Sequence, residues 1–188
     1  MKPKIGFALC GSFCTFRSAI DAMRALVETY DVIPIVSEAA YGIDTKFGLA
    51  EDFRQEIEDL CGCKSLHTLD AVEPLGPKKL LDLLVVAPCT GNTLGKLANG
   101  IADSPVTFAV KAHLRNARPI VLAISTNDGL SGSAENIGKL LNRKHYYFVP
   151  FSQDSPHGKP YSLIADFSLL PETVAFAMMK QQLQPILR

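Results

Sequence analysis

The sequence has no tryptophan, no run or tail of one charge sign, and no apolar stretch near the roughly 20 residues that cross a bilayer. Its longest apolar stretches, Leu80 to Pro88 and Ile120 to Ile124, exclude membrane spanning. Lys and Arg number 19 and Asp and Glu 19, so no long-range field gathers polyanions, and nucleic acid is excluded as a main partner. The start, Met-Lys-Pro-Lys followed at once by strand-like sequence, has neither an apolar h-region nor a small-residue cleavage site. A chain that stays in the cytoplasm is expected. Five cysteines (Cys10, Cys14, Cys61, Cys63 and Cys89) form no C-x-x-C pair, and an odd count without a secretory signal predicts reduced thiols. Cys61 and Cys63 lack a second ligand pair and a histidine at zinc spacing, so no metal site is expected.

What is present is core. Hydrophobic residues make up 47% of the 188, enough for one globular domain spanning 1–188. Short β-branched runs alternate with longer amphipathic segments, the pattern of a three-layer, doubly wound α/β fold with a mostly parallel sheet. Strands are predicted at 4–9, 32–36, 83–87, 120–124 and 146–149. Helices are predicted at 18–30, 50–60, 106–114 and 134–141, and from Pro171 to about Gln182. The run 83–87 is fully apolar, as in a parallel strand covered on both faces. Ser152 to Pro160 reads as the one long loop.

In such folds ligands bind where the strands end at their carboxyl sides. After the first strand, Cys10-Gly11-Ser12-Phe13-Cys14-Thr15 combines a small residue with hydroxyls beside a helix start. That suits a phosphate, and equally a simple helix cap. It has neither G-x-G-x-x-G spacing nor a P-loop lysine. Ser37 closes the second strand and could bring a hydroxyl to the same anion. After the third strand, Pro88-Cys89-Thr90-Gly91-Asn92-Thr93 offers small residues and an amide that can lie along a flat heteroaromatic ring. Asn92 could instead cap a helix starting at Thr93.

Pro88, Asn92, Thr93, Lys96 and the run Asn99-Gly100-Ile101-Ala102-Asp103 resemble the P-x-S-A-N-T-x-x-K and N-G-I-A-D pattern of the homo-oligomeric FMN-containing cysteine decarboxylase flavoproteins. Gly11-Ser12 is similar to that family's phosphate loop, Ser37 falls where it has Thr or Ser, and Ser125-Thr126-Asn127 takes the place of its A-M-N segment. The resemblance implies a Rossmann-like flavoprotein fold and FMN held by Gly11, Ser12, Phe13, Ser37, Pro88, Cys89, Thr90, Asn92, Thr93, Ser125 and Asn127. It also implies a trimer-based homo-oligomer.

Two departures bear on activity. The family's catalytic histidine position is Pro74 here, with His67 seven residues earlier, and no Met-Asn-x-x-Met-Trp substrate clamp follows Asn127. The segments 73–79, 159–167 and 180–185 are instead similar to the dipicolinate synthase branch of the family, found in spore-forming bacteria. That similarity implies oxidation of a dihydrodipicolinate-type precursor to pyridine-2,6-dicarboxylate in the mother cell. The implied partner is the synthase's other, A-type subunit, carrying NAD(P). Taking two electrons from a partly reduced ring is chemistry a flavin supplies. Asn92 is the expected catalytic residue, and Arg17, Lys46 and Lys96 are candidates for holding a small dicarboxylate. The alternatives are an FMN-dependent decarboxylase of a cysteinyl substrate and a non-catalytic partner whose flavin pocket shapes the complex.

Overall fold

The computed structural model describes residues 2–188. In chain order the elements are β1 (Lys4–Leu9), α1 (Phe16–Val27), β2 (Asp31–Val36), α2 (Glu38–Gly42), α3 (Ala50–Cys61), α4 (Leu69–Val72), β3 (Leu83–Cys89), α5 (Gly91–Ala98) and α6 (Pro105–Leu114). They continue with β4 (Ile120–Thr126), α7 (Ala134–Leu141), β5 (Tyr146–Phe148), β6 (Phe151–Ser155), β7 (Lys159–Ala165) and α8 (Leu170–Met178). The strands form one mixed sheet in the order β2-β1-β3-β4-β7-β6, with β5 also paired to β4. All pairings from β2 through β5 are parallel, so the expected mostly parallel α/β architecture is what the chain adopts.

Each element has a local cause. β3 is buried at every residue, which requires cover on both faces. α1 presents Ala19, Ile20, Met23 and Leu26 as one buried stripe, the spacing of an amphipathic helix. Gly62, at φ 67, ends α3 in the left-handed region that favours glycine. Ser104 and Thr107 form a reciprocal capping box at the start of α6, with Pro105 in its first turn.

Two expectations are corrected. The segment 152–160 is not a long loop but most of a β-hairpin: β6 and β7 pair antiparallel, Phe151 opposite Ala165 and Gln153 opposite Leu163. β7 then adds antiparallel to the end of β4, Ser125 opposite Ile164. β6 carries a single apolar residue, Phe151, so its strand conformation comes from pairing and left no alternation to read. The last helix stops at Met178 instead of continuing to Gln182, and Lys180 turns the chain at φ 59. Gln182 is used differently. Its amide accepts from the Phe148 N–H and donates to the Phe148 carbonyl, both at 2.7 Å, completing β5 as a neighbouring strand would.

His113, 1% exposed on α6, donates from Nε2 to the Pro119 carbonyl at 3.1 Å, which the neutral ring can do. Burial pushes its pKa down to about 4, below the roughly 6.5 of a free imidazole. The unfolded chain therefore binds a proton that the native state refuses, and stability is lost as pH falls from about 6.5 toward 4, by on the order of 3 kcal/mol. Urea unfolding at pH 7 and at pH 4.5 should show a larger loss for the native sequence than for His113→Phe. Parallel losses would remove His113 as the cause.

Candidate functional site

The carboxyl ends of β1, β2 and β3 open into a cleft of about 340 Å³ lined by Cys10, Gly11, Ser37, Ala39, Thr90 and Asn92, with Thr93, Lys96, Ser104, Val106 and Glu38 around it. Neighbouring parallel strands in register bring these three loops to one edge. Thr90 is the N-cap of α5: its hydroxyl accepts from the Thr93 N–H at 3.2 Å. The cap role that Asn92 could have filled is therefore taken. Asn92 lies exposed in the first turn of α5 and lines the cleft. Its amide, free of any hydrogen bond among the described residues, offers both donors and an acceptor there.

The cleft's walls are neutral hydroxyls, the Lys96 ammonium, which is paired, and the exposed Glu38 carboxylate, which has no ion-pair partner among the described residues. The Thr93 hydroxyl donates to the Cys10 sulfur at 3.2 Å. Burial holds the Cys10 thiol up at about 11, so it lines the floor as a neutral group. Ser37 caps α2, accepting from the Ala40 N–H at 3.2 Å, and its own O–H stays available. Lys96 pairs with Asp103 at 2.8 Å, and the ammonium, hydrogen-bonded to that carboxylate, lowers the Asp103 pKa.

A second, smaller cavity of about 200 Å³ lies on the other side of the loop after β1. Ser12, Thr15, Ser125, Thr126 and Asn127 line it, with Cys14 and the hairpin residues Asp154, Lys159 and Ser162. Ser12 and Ser125 share a hydroxyl hydrogen bond of 2.7 Å, and Thr15 donates to Ser125 at 3.2 Å. These bonds tie the end of β1 to the end of β4.

The expected site residues thus divide. Gly11, Ser37, Thr90, Asn92, Thr93 and Lys96 meet in the larger cleft, while Ser12, Ser125 and Asn127 meet in the smaller cavity. Pro88 and Cys89 belong to buried β3 beneath them, and the Phe13 ring packs on Phe16, centroids 5.1 Å apart. Arg17 lines neither cavity: its guanidinium bonds both carboxylate oxygens of Glu56, at 2.9 and 2.8 Å, and covers the Phe53 ring. Lys46 lies over its neighbour Phe47 and lines neither cavity. His67 stacks on Tyr41 with ring centroids 3.9 Å apart, and Pro74 sits in a short turn at Glu73–Leu75.

Sequence reasoning missed Asp154, Lys159 and Ser162, whose placement depends on the hairpin. It also missed how tightly Gly91 is enclosed. A side chain there would come within 2.6 Å of the Thr126 hydroxyl and 2.7 Å of both Asp128 and Ser133. Those three are themselves bonded, Thr126 and Ser133 both donating to Asp128 Oδ1.

Site and sheet together define a class of protein: residues 1–162 match the Flavoprotein family model, and the chain belongs to that family. It is 46% identical over 185 residues to the B-type subunit of dipicolinate synthase from Bacillus subtilis, covering 98% of this chain and 92% of that one. The crystal structure of the same B-type subunit from Bacillus halodurans C superposes with a TM-score of 0.91 at 42% identity, covering 100% of this chain and 98% of that one. The FMN-dependent cysteine decarboxylase SpaF shares the fold, with a TM-score of 0.68 at 19% identity over 96% of this chain and 97% of its own.

Because Gly91 lets the loop after β4 close on the start of α5, Gly91→Ala should destabilise the protein by roughly 1–3 kcal/mol through overpacking. Chemical denaturation measures it. Gly11 offers the contrast, since a Cβ there meets Ala39 at an ordinary 3.4 Å, and Gly11→Ala should change stability by less than about 1 kcal/mol.

Proposed function

We propose that this chain is the flavin-carrying subunit of a dipicolinate synthase, and that FMN occupies the larger cleft. The observation that carries the reading is the meeting of Gly11, Ser37, Thr90 and Asn92 in one cleft at the carboxyl edge of a parallel sheet. The near full-length likeness to a B-type dipicolinate synthase subunit supports it. The donor set fits the cofactor. Hydroxyls and small residues, with the Lys96 ammonium held by Asp103, suit a phosphate approached by backbone, and a free amide beside an apolar strand end suits the edge of a flat ring.

In this reading Gly11 and Ser37 hold the phosphate, with Ser12 and Phe13 in the same loop. Thr90, Asn92 and Thr93 lie along the ring, over Pro88 and Cys89. Bound FMN supplies a two-electron acceptor. The protein's part is to bind and orient a dihydrodipicolinate-type precursor beside it, with Asn92 able to donate to a carboxylate or ring atom. Lys96 is the cleft's cation; Asp103 takes one of its ammonium donors and leaves the others to meet a carboxylate of the precursor. Pro74, where the resemblance to decarboxylases expects histidine, offers no proton, and His67 is packed on Tyr41. Both support oxidation over decarboxylation. The reading includes a single domain over the whole chain, a trimer-based homo-oligomer, an A-type partner subunit that carries NAD(P), and action in the cytoplasm of a sporulating mother cell.

Ser37→Asp tests the cofactor site, because aspartate keeps the α2 cap while setting a carboxylate against a phosphate. FMN affinity, followed by flavin fluorescence, should fall by about 30-fold or more, equivalent to roughly 2 kcal/mol or more. An unchanged affinity would place the phosphate elsewhere. Asn92→Asp, with the cap on Thr90 untouched, should leave the melting temperature unaltered and lower dipicolinate formation with the A-type subunit by at least about tenfold. Normal product formation would make Asn92 a bystander.

A further inference from the structure

Nothing in the proposed cofactor cleft accounts for the smaller cavity, which is held open by a separate piece of chain. The β6–β7 hairpin is docked there by several independent contacts. Ser125 and Thr126 pair with Ile164 and Leu163, Ser162 donates to the Thr126 carbonyl at 3.2 Å, and the Leu130 N–H donates to the Tyr161 carbonyl at 2.9 Å. Gly129 makes this approach possible, since a Cβ there would fall 2.6 Å from Leu163. The docked hairpin presents Lys159 and Asp154 to a cavity whose other walls are hydroxyls, the Asn127 amide, the Cys14 thiol and the apolar Leu163 and Ile164. Asp154 takes one of the three ammonium donors, at 2.8 Å, and leaves the others for a ligand. Among the described residues the Asn127 amide has no intramolecular partner.

A free amide and an ammonium with unused donors around a small volume make a site for a carboxylate. We propose that this cavity is the subsite for a carboxylate of the substrate, a small planar ring acid, with Lys159 as its cation and Asn127 as its amide donor. The inference rests on the reading of the larger cleft as the flavin site, whose Gly11 is the chain neighbour of Ser12 in this cavity. It explains why Arg17, turned outward onto Glu56, is not needed for substrate. It also gives Asp154 a definite part: the aspartate steadies the ammonium and competes with the ligand for it, so the two charged residues act in opposite directions.

The probe is pyridine-2,6-dicarboxylate, titrated calorimetrically into the protein with and without FMN, beside benzoate and inorganic phosphate. Lys159→Gln should weaken pyridine-2,6-dicarboxylate binding by about tenfold. Asp154→Asn, by releasing the ammonium, should strengthen it by about two- to threefold. Lys159→Arg should retain most of the affinity, and FMN affinity should be the same in all three variants. A merely structural role for the ion pair would make Lys159→Gln and Asp154→Asn weaken binding alike, and that result overturns the proposal. So does native-like binding by Lys159→Gln, or an unaltered protein that fails to take the dicarboxylate. Failure of the unaltered protein to bind FMN, with the dicarboxylate still bound through Lys159, would instead overturn the flavin reading and leave the subsite standing.

Discussion

Every functional loop of this molecule depends on one buried strand. β3 is solvent-free along its whole length and lies between β1 and β4, so it can be stable only with both neighbours paired and both faces covered. Those pairings set the register that brings Cys10–Ser12, Thr90–Asn92 and Ser125–Asn127 to the same edge. A slip of one residue would turn the strand's side chains to the opposite faces and separate the loops. The position of the site is thus a consequence of hydrophobic burial several residues away from it.

At that edge the chain exchanges apolar packing for a set of short hydroxyl contacts. Ser12, Ser125 and Thr15 form one group, Thr90, Thr93 and Cys10 a second, and Thr126, Asp128 and Ser133 a third. The first two groups each join different strand ends and the third braces the loop after β4, so the site is held in shape before any ligand arrives. Bracing of this kind lowers the ordering cost of binding. Both cations of the region are held by a carboxylate, Lys96 by Asp103 and Lys159 by Asp154, so each ammonium is positioned before a ligand arrives.

The parts of this arrangement that were legible in the sequence are those produced by local periodicity. The buried strands, read at 4–9, 83–87 and 120–124, and the apolar stripe of α1 carry their own signature, because each is buried by its own residues. Gly11, Ser37, Thr90 and Asn92 were recognisable as loop chemistry at strand ends, and parallel pairing brings them together. Arg17 was misleading because sequence position says nothing of direction: at the start of α1 its side chain points to α3, where Glu56 binds it. The Asn92 cap stayed ambiguous for a similar reason, since either Thr90 or Asn92 can satisfy a helix start until the backbone decides. Gly91 gave no signal of its enclosure, because what crowds it comes from residues 126, 128 and 133.

The hairpin shows why the smaller cavity was the least legible element. β6 is an edge strand of mostly polar residues, and β7 opens with Lys159 and Pro160, features that discourage further strand addition. The same polarity that guards the edge removes the hydrophobic alternation by which a strand is recognised. What holds the hairpin is the partner change in β4, which pairs in parallel with β5 through Leu122 and antiparallel with β7 from Ser125. Within three residues one strand serves two partners of opposite direction, and the chain between them, 149–162, returns over the sheet end with Asp154 and Lys159 on it. A polar hairpin placed by a strand's change of partner can vary in its side chains without disturbing β3. The sheet then sets where a ligand sits, and the hairpin sets which charge it meets there.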